Sequence, residues 1–190
     1  MEFVQPIRER KQIEKMKKFL RTNNIRDYCL FIMGINSGLR ISDLLELTVG
    51  TVLDEHHNAR DRITLREKKT NKSKDFPLSD TTKKALLEYM ATRIDCSLDE
   101  ALFPSRKGRT PISRQHAWRI INDAARYAGI KDKVGTHTLR KTFGYHAFQA
   151  GVDVTRIQKL LNHSSPSITL AYNGIFQEEE LDDVYLNLNL

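Results

Sequence analysis

The chain contains basic and aromatic side chains whose types meet the requirements of phosphodiester chemistry. A tyrosine hydroxyl attacks a phosphate effectively only when the phosphate charge is balanced, the leaving oxygen receives a proton and the attacking oxygen loses one. Arginines, a lysine and histidines supply these functions. The candidate residues, in chain order, are Arg40, Lys69, His137, Arg140, His163 and Tyr172.

Each candidate taken alone also has an ordinary structural explanation. His137 and Arg140 are three residues apart in a predicted first helical turn, so both project from one face near the positive end of the helix dipole, as many surface pairs do. His163 follows a predicted helix end, where exposed carbonyls attract positive charge. Tyr172 is compatible with a core position. The hypothesis of one site therefore depends on the whole set.

The positive charge of the chain is concentrated in two blocks. The net charge is +7, and residues 103–163 carry 12 Lys or Arg against 3 Asp or Glu, while residues 1–74 carry 16 against 10. A polyanionic partner such as double-stranded DNA fits this distribution. A basic surface without a specific ligand remains the alternative when charge alone is considered.

Length and composition predict one domain in a reducing compartment. The 190 residues, of which 39% are hydrophobic, fill one core. Cys29 and Cys96 lack the spacing of metal ligands, and Cys29 lies in an apolar run that predicts a buried helix. No stretch approaches the roughly 20 apolar residues of a membrane span. The N-terminus does not resemble a signal peptide, so we expect a cytoplasmic protein with no membrane partner.

Helical periodicity dominates the elements that must position the candidates. Ser42 is predicted to cap a short helix directly after Arg40, and Thr136 to cap the helix that carries Arg140. Further helices are predicted to begin at Ser79, Ser113, Asp153 and Ser165-Pro166.

A change of period predicts a hairpin in the middle of the chain. Ile63 and Leu65 alternate with polar residues from Arg62, and Asp75 to Leu78 form the returning strand, with Val52 and Leu53 as a possible third strand. Lys69 falls in the polar turn of this hairpin. The predicted fold class is therefore mainly α with a small antiparallel β-sheet (α+β).

The motifs together resemble those of the tyrosine recombinases, or phage integrase family. The resemblance covers roughly residues 8–176 and implies that family's catalytic-domain fold. The residues that carry it are Gly38-Leu39-Arg40-Ile41-Ser42-Asp43-Leu44-Leu45, Lys69-Thr70-Asn71-Lys72, His137-Thr138-Leu139-Arg140, Leu161-Asn162-His163-Ser164-Ser165 and Tyr172.

The resemblance implies a role for each candidate. Arg40 and Arg140 match the arginines that hold the non-bridging oxygens of the scissile phosphate, for which a planar guanidinium is suited. Lys69 matches the hairpin lysine that protonates the departing 5′ oxygen. Near rivals for that role are Lys68, Lys72 and Lys74.

The remaining motif positions complete the implied mechanism. His137 matches the histidine that assists proton movement at the attacking oxygen, and His163 matches a second histidine that donates a hydrogen bond to the phosphate. Tyr172 matches the nucleophile of a 3′-phosphotyrosyl link. Asp43 matches a supporting acidic position that orients the cleft.

The resemblance also sets the expected domain organisation. Residues 1–176 are predicted to form the catalytic domain, and residues 177–190 an acidic amphipathic segment that docks on its own core or is exchanged between protomers assembled on DNA. Family members usually carry a further N-terminal helical domain. We expect either a fragment or a protein that lacks half of the DNA clamp.

The predicted function is that of a site-specific recombinase or integrase of a mobile element, which cleaves and rejoins DNA strands. A phosphotyrosyl link conserves the energy of the broken bond, so no nucleotide cofactor is expected, and cationic side chains replace a metal. The alternatives are an enzyme like a type IB topoisomerase, and a DNA-binding accessory protein that has the fold without turnover.

Overall fold

A computed structural model describes residues 4–67, 72–93, 95–106 and 108–175. The predicted acidic segment at 177–190 and the hairpin lysine Lys69 lie outside these residues. The described elements are α1 (Arg10–Asn23), α2 (Ile25–Ser37), α3 (Ile41–Leu45), α4 (Val49–Val52), β1 (Arg62–Arg66), β2 (Ser73–Pro77), α5 (Asp80–Met90), β3 (Pro104–Ser105), β4 (Gly108–Pro111), α6 (Arg114–Tyr127), α7 (Thr138–Gln149), α8 (Val154–Leu161) and α9 (Pro166–Asn173).

The core is built around α2, which is apolar on nearly all sides. Its residues from Cys29 to Gly34 are buried, as the apolar run predicted, and α2 packs against α1, α5 and α7. An almost wholly apolar helix is stable only when other elements cover it on several sides. Because α7 is one of these elements, the helix that carries Arg140 is fixed directly to the centre of the domain.

Within the described residues, the β structure forms two small antiparallel hairpins and not one sheet. β1 pairs with β2 in the register Arg62 to Pro77 and Ile63 to Phe76, and β3 pairs with β4. The prediction of a possible third strand at Val52 and Leu53 is wrong. Val52 ends the short helix α4, and Leu53 makes only an isolated bridge to Ala59. No helix in the described part of the chain is long and apolar enough to cross a membrane.

Most helix starts agree with the predicted caps, and two differ near the candidate residues. The side chains of Ser79, Ser113, Asp153 and Ser165 accept hydrogen bonds from the first turns of α5, α6, α8 and α9. By contrast, α3 begins one residue before Ser42, with Arg40 itself at the N-cap. Likewise His137, and not Thr136, is the N-cap of α7. Both candidates therefore lie at the junction of loop and helix.

Close packing of α7 on α9 fixes the helix that carries Tyr172. A Cβ added to Gly144 would overlap the side-chain amide of Asn173, which is wholly buried. Glycine is therefore the residue that allows α9 to approach α7 this closely.

A Gly144→Ala substitution is expected to lower the free energy of unfolding by about 1–3 kcal/mol, because the added methyl group must displace buried atoms of α9. Thermal or urea denaturation measures this loss. The matched control is Gln149→Ala on the exposed end of the same helix, which should leave the midpoint nearly unchanged. An unaltered midpoint in Gly144→Ala would contradict the close approach.

Candidate active site

Arg40 lies on the bend between α2 and α3. The helix α2 ends at Gly38, whose φ of 61° is left-handed and favours glycine, and Arg40 then starts α3. Its Nη1 atom is 2.9 Å from Glu67 Oε2 and 4.0 Å from Asp43 Oδ2, and both carboxylates are buried. Nη1 is itself buried and donates no hydrogen bond within the described residues. The ion pair with Glu67 therefore holds Nη1 at this position.

Arg140 forms hydrogen bonds to two turns that are far apart in the sequence. It lies in the first turn of α7 and is only 2% exposed. Its Nη1 donates to the carbonyl oxygen of Gly38 at 2.5 Å, and its Nη2 donates to the carbonyl oxygen of Leu161. Burial and the nearby Arg40 lower the pKa of Arg140, while Tyr172 opposes the shift. The two arginines therefore belong to one cluster, in which backbone carbonyls hold Arg140 and carboxylates hold Arg40.

His137 and Tyr172 are in contact. His137 Nδ1 is 3.3 Å from Tyr172 Oη, although the two residues are 35 positions apart. Burial lowers the pKa of His137, and the neighbouring cations Arg114 and Arg140 add to this. Burial raises the pKa of Tyr172, whereas Arg140 and Arg40 oppose the rise. At neutral pH the phenol is therefore protonated and the imidazole is neutral, which is the pairing needed for proton transfer from Tyr172 to His137.

His163 packs against the other side of Tyr172. The two rings are edge to face, with centroids 4.8 Å apart. Nδ1 of His163 is 3.1 Å from Oγ1 of the buried Thr169, whose hydroxyl donates to the carbonyl of Ser165. Burial, Arg140 and Arg40 lower the pKa of His163 to about 4. Because its Nδ1 is occupied by Thr169, its Nε2 is the ring atom left for a ligand.

The turn before His163 has the geometry that its sequence permits. Asn162 ends α8 with φ 50° and ψ 47°, the left-handed conformation that asparagine tolerates better than most residues. This turn reverses the chain between α8 and α9. It brings His163, which lies in the turn, to the same cluster as Tyr172 on α9.

The hairpin contributes Lys74 to the neighbourhood of the arginines. Lys74 lies on β2 with its Nζ 5.6 Å from the centre of the Phe76 ring, on the inward face of the strand. Burial lowers the pKa of Lys74 to about 8, and the charges of Arg140 and Arg40 contribute to the shift, while Glu67 opposes it. Lys69, the lysine favoured from the sequence, lies outside the described residues.

A basic cleft adjoins this cluster between β2 and α8. It encloses about 570 Å³ and is open to solvent. Its two carboxylates, Glu67 and Asp75, form ion pairs with Arg40 and Arg62. The cationic side chains that line it are Lys72, Lys74, Arg156 and Lys159.

The structure thus brings together Arg40, His137, Arg140, His163 and Tyr172, with Asp43 beside Arg40. Sequence reasoning missed three further residues at this site, namely Glu67, Lys141 and Thr169, and named Lys74 only as a rival of Lys69. Lys141 Nζ lies 5.0 Å from the centre of the Tyr172 ring. Its position next to Arg140 in the sequence was a usable signal. Nothing local in the sequence indicates that Glu67 is buried.

Comparison with known proteins gives a consistent match. Residues 8–179 match the model of the phage integrase family. The chain is 45% identical over 178 residues to the probable integrase/recombinase YoeC of Bacillus subtilis, covering 94% of this chain and 93% of YoeC.

Two further matches each cover about half of a longer protein. Identity with the tyrosine recombinase XerA of Pyrococcus furiosus is 29% over 164 residues, which is 86% of this chain and 55% of XerA. The crystal structure of the XerH recombinase bound to its difH substrate, a post-cleavage complex, aligns with a TM-score of 0.78 and 18% identity. That alignment covers all of this chain and 54% of XerH, and it establishes a shared fold.

Proposed function

Because the chain belongs to the phage integrase family, we propose that it is a tyrosine-type site-specific DNA recombinase. The observation that carries this proposal is the contact of Tyr172 Oη with His137 inside a cluster that contains Arg40 and Arg140. A tyrosine with an adjacent base and two guanidinium groups has the components for attack on a phosphodiester.

In the proposed reaction, the Tyr172 oxygen bonds to the scissile phosphorus and the bond to the 5′ oxygen of the next nucleotide breaks. His137 accepts the proton of the Tyr172 hydroxyl. A hairpin lysine, Lys69, gives a proton to the leaving oxygen. Arg40 and Arg140 stabilise the charge on the non-bridging oxygens. His163 donates to them from Nε2, which requires that the bound phosphate hold the ring protonated or that Thr169 turn its hydroxyl proton to Nδ1. Attack by a 5′ hydroxyl of a second strand reverses these steps and leaves a recombined strand.

The proposed substrate is double-stranded DNA. The XerH structure holds its difH substrate, and the basic cleft beside Arg40 extends the positive surface beyond the site of cleavage. We propose that several protomers assemble on DNA, since exchange of strands between two sites requires more than one active site. We expect the protein to act in the cytoplasm, where its proposed substrate is found.

The function is tested with a suicide substrate, a duplex with a nick close to the cleavage site that lets the short fragment diffuse away. Wild-type protein should accumulate as a covalent protein–DNA adduct on a denaturing gel. Because the target sequence is to be found in the same experiment, the substrates should be a set of overlapping duplexes from the genomic region around the gene, each with a nick at a different position. Absence of any adduct would favour the accessory-protein alternative.

A plasmid with two target sites separates the remaining alternatives. A recombinase yields deletion or inversion products, whereas an enzyme like a type IB topoisomerase only relaxes supercoils. Relaxation without recombined products, with all protein partners supplied, would contradict the proposal.

Cleavage is expected to be unaffected by EDTA, because arginine and lysine side chains supply the positive charge and the proton that a metal would otherwise provide. The measurement is adduct formation with and without chelator. A Mg²⁺-dependent nuclease acting on the same DNA serves as the control for chelation. A strict requirement for added divalent metal would overturn the mechanism.

The identity of the proton donor is tested by replacing the scissile 5′ bridging oxygen with sulfur. A thiolate leaves without protonation, since the pKa of a thiol is far below that of an alcohol. We expect Lys69→Ala to lower cleavage of the normal substrate by about 10²- to 10⁴-fold and to cleave the sulfur substrate at nearly the wild-type rate.

Lys74→Ala is the matched variant in this experiment. Lys74 is expected to contribute positive charge to the transition state and not a proton, so its loss should slow cleavage of both substrates. If the sulfur substrate restored the cleavage rate of Lys74→Ala but not that of Lys69→Ala, the role of general acid would belong to Lys74.

A further inference from the structure

Glu67 lies where three parts of the active site meet. It directly follows β1, and its backbone N–H donates to the carbonyl of Lys72 at 2.9 Å, which closes the base of the hairpin loop. Its side chain is buried, with 3% exposure. A carboxylate is rarely buried this deeply unless it is paired.

The Glu67 carboxylate joins the hairpin to both sides of the cluster. Its Oε2 atom is 2.9 Å from Arg40 Nη1 and accepts a hydrogen bond of 3.4 Å from Asn162 Nδ2. The Oδ1 atom of Asn162 in turn accepts from Lys72 Nζ at 3.5 Å. One oxygen atom therefore connects the Arg40 bend, the base of the hairpin and the turn that precedes His163.

We propose that Glu67 is a positioning residue that sets the orientation of Arg40 and fixes the base of the β1–β2 hairpin relative to the turn before His163. This inference rests on the proposed function. It assigns Glu67 an effect on cleavage that acts through Arg40 and not through contact with DNA. Arg40 follows a bend, and its long side chain has several rotatable bonds, so a fixed orientation requires a partner. Glu67 supplies that partner before DNA binds, which reduces reorganisation during the reaction.

Because Glu67 is charged, its removal should affect DNA affinity and cleavage rate differently. A carboxylate 2.9 Å from Arg40 partly neutralises the guanidinium and therefore opposes, to some extent, the approach of a phosphate. Removing the charge should leave DNA affinity unchanged or increase it, while the chemical step becomes slower. A residue that only stabilises the fold would not separate binding from cleavage in this way.

The test compares Glu67→Gln and Glu67→Asp with the wild type. Cleavage is measured as a single-turnover rate constant at saturating suicide substrate, and affinity by fluorescence anisotropy in a Tyr172→Phe background that does not cleave. We expect Glu67→Gln to slow cleavage on the order of tenfold to a hundredfold, with a dissociation constant equal to or below that of the reference. Glu67→Asp should restore part of the rate.

Glu100→Gln is the matched control, because Glu100 also pairs with an arginine, Arg93 at 2.6 Å, outside the cluster. It should change neither rate nor affinity. A wild-type rate in Glu67→Gln, or a loss of rate matched by an equal loss of affinity, would overturn the proposal.

A second variant keeps the test decisive if Glu67→Gln does not fold, which circular dichroism and thermal melting would reveal. Asn162→Gly removes the amide that holds Glu67, and glycine adopts the left-handed backbone of this position without strain. We expect a smaller loss of rate, of about threefold to tenfold, with unchanged affinity. A wild-type rate here would count against the network. If wild-type protein itself forms no adduct, the proposed function fails; if it does, and these variants match it, only the role of Glu67 fails.

Discussion

A Tyr172→Phe variant is expected to bind duplex DNA with nearly wild-type affinity and to form no covalent adduct on a nicked substrate. The phenylalanine ring preserves the edge-to-face contact with His163 and the position beside Lys141, so the fold of α9 should be retained. Only the hydroxyl that contacts His137 is lost. Since this oxygen is the proposed nucleophile, the effect on cleavage is complete loss and not a reduction.

The measurement combines a binding titration with a denaturing gel for the adduct. Tyr127→Phe is the matched control, because Tyr127 is exposed on α6 and stacks on Phe19 away from the cluster. It should form the adduct at the wild-type rate. An adduct formed by Tyr172→Phe would show that another residue attacks the phosphate.

Arg40→Lys is expected to lower the rate of cleavage about a hundredfold, equivalent to roughly 3 kcal/mol of transition-state stabilisation, with a much smaller change in DNA affinity. Lysine keeps the positive charge but lacks the planar fork that holds two oxygens. The loss should therefore appear in the rate constant at saturating DNA and not in the dissociation constant. Equal losses in both quantities would mean that Arg40 only binds the DNA backbone.

Arg140→Lys should show the same kinetic loss together with a lower melting temperature. Arg140 donates to the carbonyl oxygens of Gly38 and Leu161, and a lysine cannot reach both from the same position. These carbonyls are buried, so losing their donor destabilises the protein. Arg62→Lys is the control, since Arg62 forms an exposed ion pair with Asp75 that contributes little. Its melting temperature and cleavage rate should match the wild type.

The sequence alone determined the residue types of the candidate site and the elements that carry them. Caps, apolar runs and a two-residue period are local properties, so Ser165 predicts the start of α9, and the alternation around Ile63 predicts β1. The motifs at Arg40, Arg140 and Tyr172 were recognisable because each is a short continuous segment. Their roles in catalysis remain predictions.

Only the tertiary structure decided which side chains meet and in what environment. Arg140 contacts Gly38 across 102 residues, and Asn162 contacts Glu67 across 95. The burial of Glu67 and the inward orientation of Lys74 depend on how the hairpin meets Asn162 and the Arg40 bend, and no local pattern encodes those contacts. The lowered pKa values of His163 and Lys74 have the same origin, because desolvation and the fields of distant arginines act only after the chain has folded.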